Sequence, residues 1–305
     1  MSTAPFTGST GVPPGTPTGA SPGVSPGVPR GGPPGVVVRL PIGPDSGEAG
    51  ATAVVRKMRG HEEALLHDPD LGPAALVSHL LAGTALRIGE CERPGVEAVE
   101  AMYSADRNHL LLQVRRLTLG DRLAAVYACP ACAARVRVIE RLDELPFVAL
   151  EETGDPEAVE VTLEDGWTDR EGTTHTEVVL RLPRGSDEQF VTTFVASDPV
   201  AAADALLLRC VVRFGSVPSS ELDAFGLRIL RDLTLGDRAR LQRALHEDAP
   251  GTRMLRGIEC TDCGARFERQ LDVTDFFVAG REKAPDSNRR SSTWPGTSTG
   301  AGATS

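Results

Sequence analysis

The sequence predicts an α+β fold that is internally duplicated. Each half runs strand, helices and Cys-x-x-Cys hairpin, with a shared zinc-ribbon-like site and disordered N- and C-terminal tails. Three observations carry this. The hexapeptide LTLGDR stands at Leu117–Arg122 and again at Leu233–Arg238. The strand-like run Val36–Gly43 (VVVRLPIG) has a parallel at Val178–Gly185 (VVLRLPRG). Each half closes on a cysteine pair between apolar stretches, Cys129/Cys132 and Cys260/Cys263. Features repeated in one order mark a repeated unit.

Taken along the chain, residues 1–35 alternate Gly, Pro, Ser and Thr and cannot bury enough apolar area to offset their ordering entropy, so a disordered arm is expected there. The first half, 36–147, opens with its strand and adds the segment Arg56–Leu71 (RKMRGHEEALLHDPDL), with a short helix expected from Gly60. A helical run then leads from Ser104 through Leu117 to the LGDR turn and the CPAC knuckle. Residues 148–177 form an acidic linker or hairpin, with its turn expected at Asp165-Gly166. In the second half, 178–280, Ser197 or Asp198 caps a helix with Pro199 in its first turn, and Ser219 or Ser220 starts the next. Gly236 is expected to stop that helix, before a charged helix over Arg238–Asp248 and the CTDC knuckle. Residues 281–305 read as a second disordered tail.

The bulk numbers bound the function. A chain of 305 residues with 40% hydrophobic residues can bury a core, but with 4% aromatic that core is packed from Leu, Val and Ala. The net charge of -10 has the wrong sign for a surface that neutralises phosphates, so nucleic acid is not the expected partner. The longest apolar segment, Val200–Val212, is broken by Asp204 and Arg209 and is too short for a bilayer. With no basic stretch followed by an apolar run at the N-terminus, the expectation is a cytoplasmic protein without membrane insertion.

In a reducing compartment, six cysteines with paired Cys-x-x-Cys spacing favour metal or redox chemistry over disulfides. Two-residue spacing lets both sulfurs of a pair reach one ion at about 2.3 Å. The two pairs lie 127 residues apart, far beyond a compact zinc ribbon. Duplication supplies the missing step, because two similar halves packed about a pseudo-twofold axis bring equivalent knuckles face to face. The expected metal ligands are Cys129, Cys132, Cys260 and Cys263, around one structural zinc. A redox dithiol, unliganded thiols and two sites completed by histidines are the alternatives. A redox pair normally opens a helix, whereas strand-like residues follow both pairs here.

The remaining chemistry-bearing residues read as structural. Cys91 and Cys210 are isolated and expected to be buried small hydrophobes. His61, His67, His79, His109, His175 and His246 are scattered, and no Ser-His-Asp or Cys-His ordering has local support. The adjacent carboxylates Glu62-Glu63, Asp143-Glu144 and Glu151-Glu152 are assigned to solvated faces. No Gly-rich phosphate loop is present. The expectation is a protein without catalytic residues, bound cofactor beyond zinc, or small-molecule substrate.

Met58, Gly60, Glu62, Glu63, Leu65 and Leu66 of RKMRGHEEALL, the two LTLGDR copies, CPAC followed by LDEL, and CTDCG followed by LDVTDFF together carry a resemblance. Over roughly residues 36–147 and 178–277 the chain resembles the baseplate hub assembly proteins of contractile-tailed phages and their relatives in phage-tail-like contractile injection systems. Arg59 and His61 depart from that pattern. The resemblance implies a non-enzymatic tail-assembly or baseplate component that binds other tail proteins, cytoplasmic or built into a tail-like particle. Two other functions compete with it. One is a zinc-ribbon nucleic-acid binder, for which Arg135, Arg137, Arg141 and Arg231, Arg238, Arg240, Arg243 are the candidate stripes. The other is a thiol oxidoreductase.

Overall fold

The alternation of Thr52–Val55, with Ala53 and Val55 turned inward and fully buried, makes this run an inner strand of a four-stranded sheet. The computed structural model describes residues 34–43, 51–148, 150, 154–195, 198–246, 248–271 and 277. The expected arms and the Glu151-Glu152 pair fall outside these residues, apart from Pro34 and Gly35. In the first sheet, β1 (Val36–Arg39), β2 (Thr52–Val55), β3 (Ala85–Ile88) and β4 (Cys91–Glu92) follow one another, all antiparallel. Helices α1 (Gly60–Leu65) and α2 (Pro73–Thr84) connect β2 to β3. Pro73 sits at the first position of α2, where its missing N–H goes unneeded.

Beyond the sheet come α3 (Val96–Glu100) and α4 (Ser104–Leu119), the latter stopped at Gly120 with φ of 86°. Asp121 then leads into the hairpin of β5 (Arg122–Ala128) and β6 (Arg135–Arg141), which joins the short β7 (Phe147–Val148) through a 3-10 turn.

The second sheet has the order β10-β9-β8, from β8 (Val159–Thr168), β9 (Thr174–Leu180) and β10 (Val211–Phe214). Here α5 (Gly185–Val195) and α6 (Pro199–Cys210) connect β9 to β10, and Asp198 caps α6 by accepting from the Ala201 N–H. The expected hairpin exists, but its turn is Asp169–Thr173, where the Asp169 carboxylate accepts the Thr173 N–H. Asp165-Gly166 instead marks a register shift inside β8, with Gly166 at φ of 72° and its N–H, like those of Glu164 and Asp165, donated to buried Asp237. Then come α7 (Ser219–Asp232), α8 (Leu235–His246), β11 (Gly251–Thr252) paired with β7, and the hairpin of β12 (Leu255–Glu259) and β13 (Arg266–Gln270).

The two sheets share local detail. The Arg56 guanidinium holds Glu62 six residues on, and Arg181 holds Asp187 six residues on. The Arg56 N–H donates to the Thr84 carbonyl where Arg181 donates to that of Cys210. Gly89 and Gly215, at φ of 54° and 51°, donate to Thr52 and Glu177. By these contacts VVLRLPRG (178–185) corresponds locally to AVVRKMRG (53–60) rather than to the 36–43 run, with Arg181 and Asp187 placed like Arg56 and Glu62.

The two LTLGDR copies, conversely, differ. The first ends α4 and turns into β5. In the second, α7 already stops at Asp232, and Leu235, Gly236 and Asp237 open α8 with the Thr234 hydroxyl near the Asp237 N–H. Gly236 lies within a helix and stops nothing.

Two cores result, each drawing on both halves. Met254, Leu271 and Phe277 enter the first, and Ile42 and Tyr103 enter the second. Between them lies Arg107, with a fully buried side chain that donates to Glu188, the Ala74 carbonyl and the Ser78 hydroxyl. Among the described residues no helix is long and apolar enough to cross a membrane.

Candidate metal centre

The two cysteine pairs occupy the tips of the β5–β6 and β12–β13 hairpins, and both tips fold by the same bonds. The Cys129 N–H donates to the Ala134 carbonyl and the Ala133 N–H returns to that of Cys129, each at 2.9 Å. Cys260 with Ala265 and Gly264 with Cys260 repeat this at 2.9 Å. The residue after each second cysteine is left-handed, Ala133 at φ of 59° and Gly264 at 73°. This turn aims both sulfurs of a pair off the same end of its hairpin.

The hairpins pack on each other through Val136 and Ile258, with Tyr127, Val138 and Phe267 around them, as a third small core. Cys129 and Cys260 are buried in it, while Cys132 and Cys263 face outward. All four sulfurs lie within 4.8 Å of one another. The cross-hairpin contacts are Cys129 to Cys263 and Cys132 to Cys260, both 3.7 Å. A tetrahedral ion with metal–sulfur bonds of about 2.3 Å requires sulfurs about 3.8 Å apart. The arrangement therefore fits one four-coordinate metal ion, with two ligands from each half.

Backbone donors complete the fit. Desolvation opposes a thiolate at Cys129, but N–H groups of Cys132 and Ala131 and the thiols of Cys260 and Cys263 outweigh it and bring the pKa down to about 7. Cys132 accepts from the Ala134 N–H, yet contact with Cys263, desolvation and the other two sulfurs push it up to about 12. Cys263, which accepts from the Ala265 N–H, is also raised on balance. Without a cation the thiolate forms of Cys132 and Cys263 are disfavoured, which a positive ion between the four sulfurs would reverse.

A buried carboxylate supports the lobe from beneath. Glu140 shares the inward face of β6 with Val136 and Val138, and Arg256 of β12 donates to it at 3.0 Å. This strap joins the two hairpins and is a contact the sequence reading missed. Its signal was a charged residue in phase with an apolar alternation.

Several expectations need correction. Cys210 is fully buried, as expected of a small hydrophobe, but Cys91 is exposed on β4. Glu62 is not on a solvated face, since it is buried, accepts from the Arg59 N–H and pairs with Arg56. Desolvation opposes its charge, but those bonds hold its carboxyl below the usual range. Asp143 and Glu144 are exposed beside Arg141, as expected.

A Ser-His-Asp cluster that sequence order did not reveal also forms. His175 Nε2 lies 3.0 Å from Asp169, and Nδ1 lies 3.4 Å from the Ser216 hydroxyl. The same Nδ1 accepts the Ser216 backbone N–H at 3.3 Å, and the ring stacks on Trp167. The imidazole thus ties the Asp169 turn to the Gly215 turn, with its acceptor already engaged by the backbone.

No protein-family model, curated protein or solved structure matches the chain. The fold and site define an α+β protein with one four-cysteine cluster able to hold a metal ion.

Proposed function

We propose that this chain is a non-enzymatic assembly component of a contractile tail or injection-system baseplate, held in shape by one structural zinc on Cys129, Cys132, Cys260 and Cys263. The observation that carries the metal reading is the convergence of two sequence-remote pairs to sulfur spacings that suit a tetrahedral ion. Four thiolates in that geometry select zinc or iron over harder metals. We read the two halves as a duplication and the paired hairpins as a zinc ribbon divided between them. The matched Arg56–Glu62 and Arg181–Asp187 pairs support that reading. The assembly role rests on the resemblance carried by RKMRGHEEALL and the cysteine motifs. Within that segment Glu62, Met58, Leu65 and Leu66 pack inward, so its contribution is to anchor α1.

The competing readings lose support on specific contacts. Of the second arginine stripe, Arg231 and Arg238 are both engaged by buried Asp204, and Arg240 by Glu164. That weakens a nucleic-acid role. Both cysteine pairs sit at hairpin turns rather than helix N-termini, which removes the usual support for a redox thiolate.

The test is metal analysis by mass spectrometry with co-purification from the native host. The expected outcome is one zinc per chain, absent in Cys129→Ser and Cys260→Ser, and recovery with sheath, tube or baseplate proteins. A metal-free wild type would overturn the zinc reading. A gene neighbourhood without tail genes would overturn the assembly role.

A further inference from the structure

The two hairpins of the metal lobe share one backbone plan, yet their outward faces differ. On β12–β13 the outward positions carry both signs, with Glu259 paired to Arg266 at 3.1 Å and Glu268 nearby. On β5–β6 the outward positions bear Arg122, Arg135, Arg137 and Arg141, and no carboxylate. Between them stand Val126 and Ile139, 46% and 53% exposed, and two alanines. Arg122 and Arg141 lie directly opposite in register, a like-charge pairing that costs the hairpin stability. Arg141 is drawn toward Asp143 and Glu144 at the rim, whereas no ion pair engages Arg122 or Arg137 among the described residues. In a chain of net charge -10, Arg122 and Arg137 flank the exposed Val126 and Ile139 without an ion pair among the described residues.

We propose that the outward face of the β5–β6 hairpin is a docking surface for a protein segment whose carboxylates alternate with apolar side chains. Arginine around a small apolar centre is the composition of protein interfaces. A seven-residue strand presents its side chains at the two-residue period that such a segment carries. A polyanionic nucleic acid fits less well, because the centre of the face is aliphatic, no aromatic ring stands on it for bases to stack against, and the rest of the chain repels phosphate. The proposal rests on the assembly reading only in taking the partner to be a protein, since the face itself does not involve the metal.

The probe is a synthetic peptide of about eight residues alternating Glu and Val, with a Lys/Val peptide and an oligothymidine of about 20 nucleotides as comparisons. Binding to the full chain is measured by fluorescence anisotropy at low and moderate salt. The Glu/Val peptide is expected to bind and the oligothymidine not. Arg122→Glu with Arg137→Glu should weaken the peptide about 10-fold or more and favour the Lys/Val peptide instead. Val126→Ser with Ile139→Ser should weaken it at all salt concentrations. Unchanged zinc content in each variant keeps folding separate from docking. Absence of Glu/Val binding to wild type, equal binding by the variants, or oligothymidine binding abolished by the same substitutions would overturn the proposal. The first two results would leave the tail-assembly reading standing. Peptide binding by a chain that never recovers with tail proteins would do the reverse.

Discussion

Removing the metal should melt one lobe and leave the rest. The third core holds only two fully aliphatic buried side chains, Val136 and Ile258, beside Cys129 and Cys260. Burying two such side chains stabilises by about 3–6 kcal/mol. Against this stands the entropy lost in ordering residues 122–141 and 255–270, with two-stranded hairpins that are marginal alone. Zinc binding to structural thiolate sites contributes about 10–16 kcal/mol of apparent folding free energy, larger than the lobe's own apolar term. The two main cores include Leu110, Leu111, Val178 and Leu241, and they make no use of the sulfurs. Amide hydrogen exchange should therefore show residues 122–141 and 255–270 losing protection by about 100-fold or more in chelator, equivalent to about 2.7 kcal/mol, while α4 and α6 keep theirs. Cys132→Ser should reproduce the chelator pattern. Full protection of the hairpins in chelator, or simultaneous loss across the whole chain, would refute this partition.

Other contacts give sharper tests of position. Ala133→Gly should raise the unfolding free energy from denaturant titration by about 1 kcal/mol and Gly264→Ala should lower it by a similar amount, because both positions are left-handed and only glycine adopts that region without cost. Gly185→Ala should destabilise strongly, since a Cβ there overlaps the pinned Arg107 guanidinium, whereas Gly60→Ala meets no atom and should be tolerated, as thermal unfolding of the pair will show. Glu140→Gln should speed zinc loss to a chromogenic chelator without removing a ligand, because it weakens the Arg256 strap. Asp106 gives a pH signature. Burial pushes its pKa from 3.8 up to about 6 despite N–H bonds from Ile42 and Gly43. The folded state then binds the proton more tightly than the unfolded state. Its contribution is fully present below pH 3.8 and declines by about 3 kcal/mol as pH rises through about 6, a decline that should vanish from the unfolding free energies of Asp106→Asn.

How much of this was legible in the sequence depended on whether a residue's role was local. The α6 cap at Asp198-Pro199, the α4 stop at Gly120 and the turn context of both cysteine pairs are set within a few residues, and each can be read directly. The four-sulfur cluster required one long-range step, for which the sequence offered only its repeated motifs. VVVRLPIG and VVLRLPRG share letters but not contacts, whereas AVVRKMRG and VVLRLPRG share an arginine that holds a carboxylate six residues on. Identity of letters also misled at LTLGDR. In the first copy Leu119-Gly120 meets a strand that pairs with β6. In the second the Asp237 side chain is captured by three N–H groups of β8, and the same six residues open a helix. Tertiary acceptors and donors decided between the two structures, and no window of six residues contains them.

Buried Asp237 and Asp187 also show why a metal ion would matter at one junction more than at the others. Asp187 is enclosed by Arg181, Arg209 and the Arg184 N–H, and Asp237 by three backbone donors. Desolvation opposes both charges, yet these partners hold both carboxyls below their ordinary range. The connections around the second core are thus fixed by hydrogen-bonded carboxylates, as Glu62 with Arg56 fixes α1 beside the first. The hairpin lobe has one such strap, Glu140 to Arg256, and an apolar shell too small to hold two strands pairs together. Cross-linking segments 127 residues apart there lowers the entropy of the unfolded chain most, since the stabilisation grows with the loop that is closed. A single ion held by the four cysteines at the hairpin tips would supply the constraint that the size of the local core withholds, and would fix the register in which β5–β6 presents its arginines.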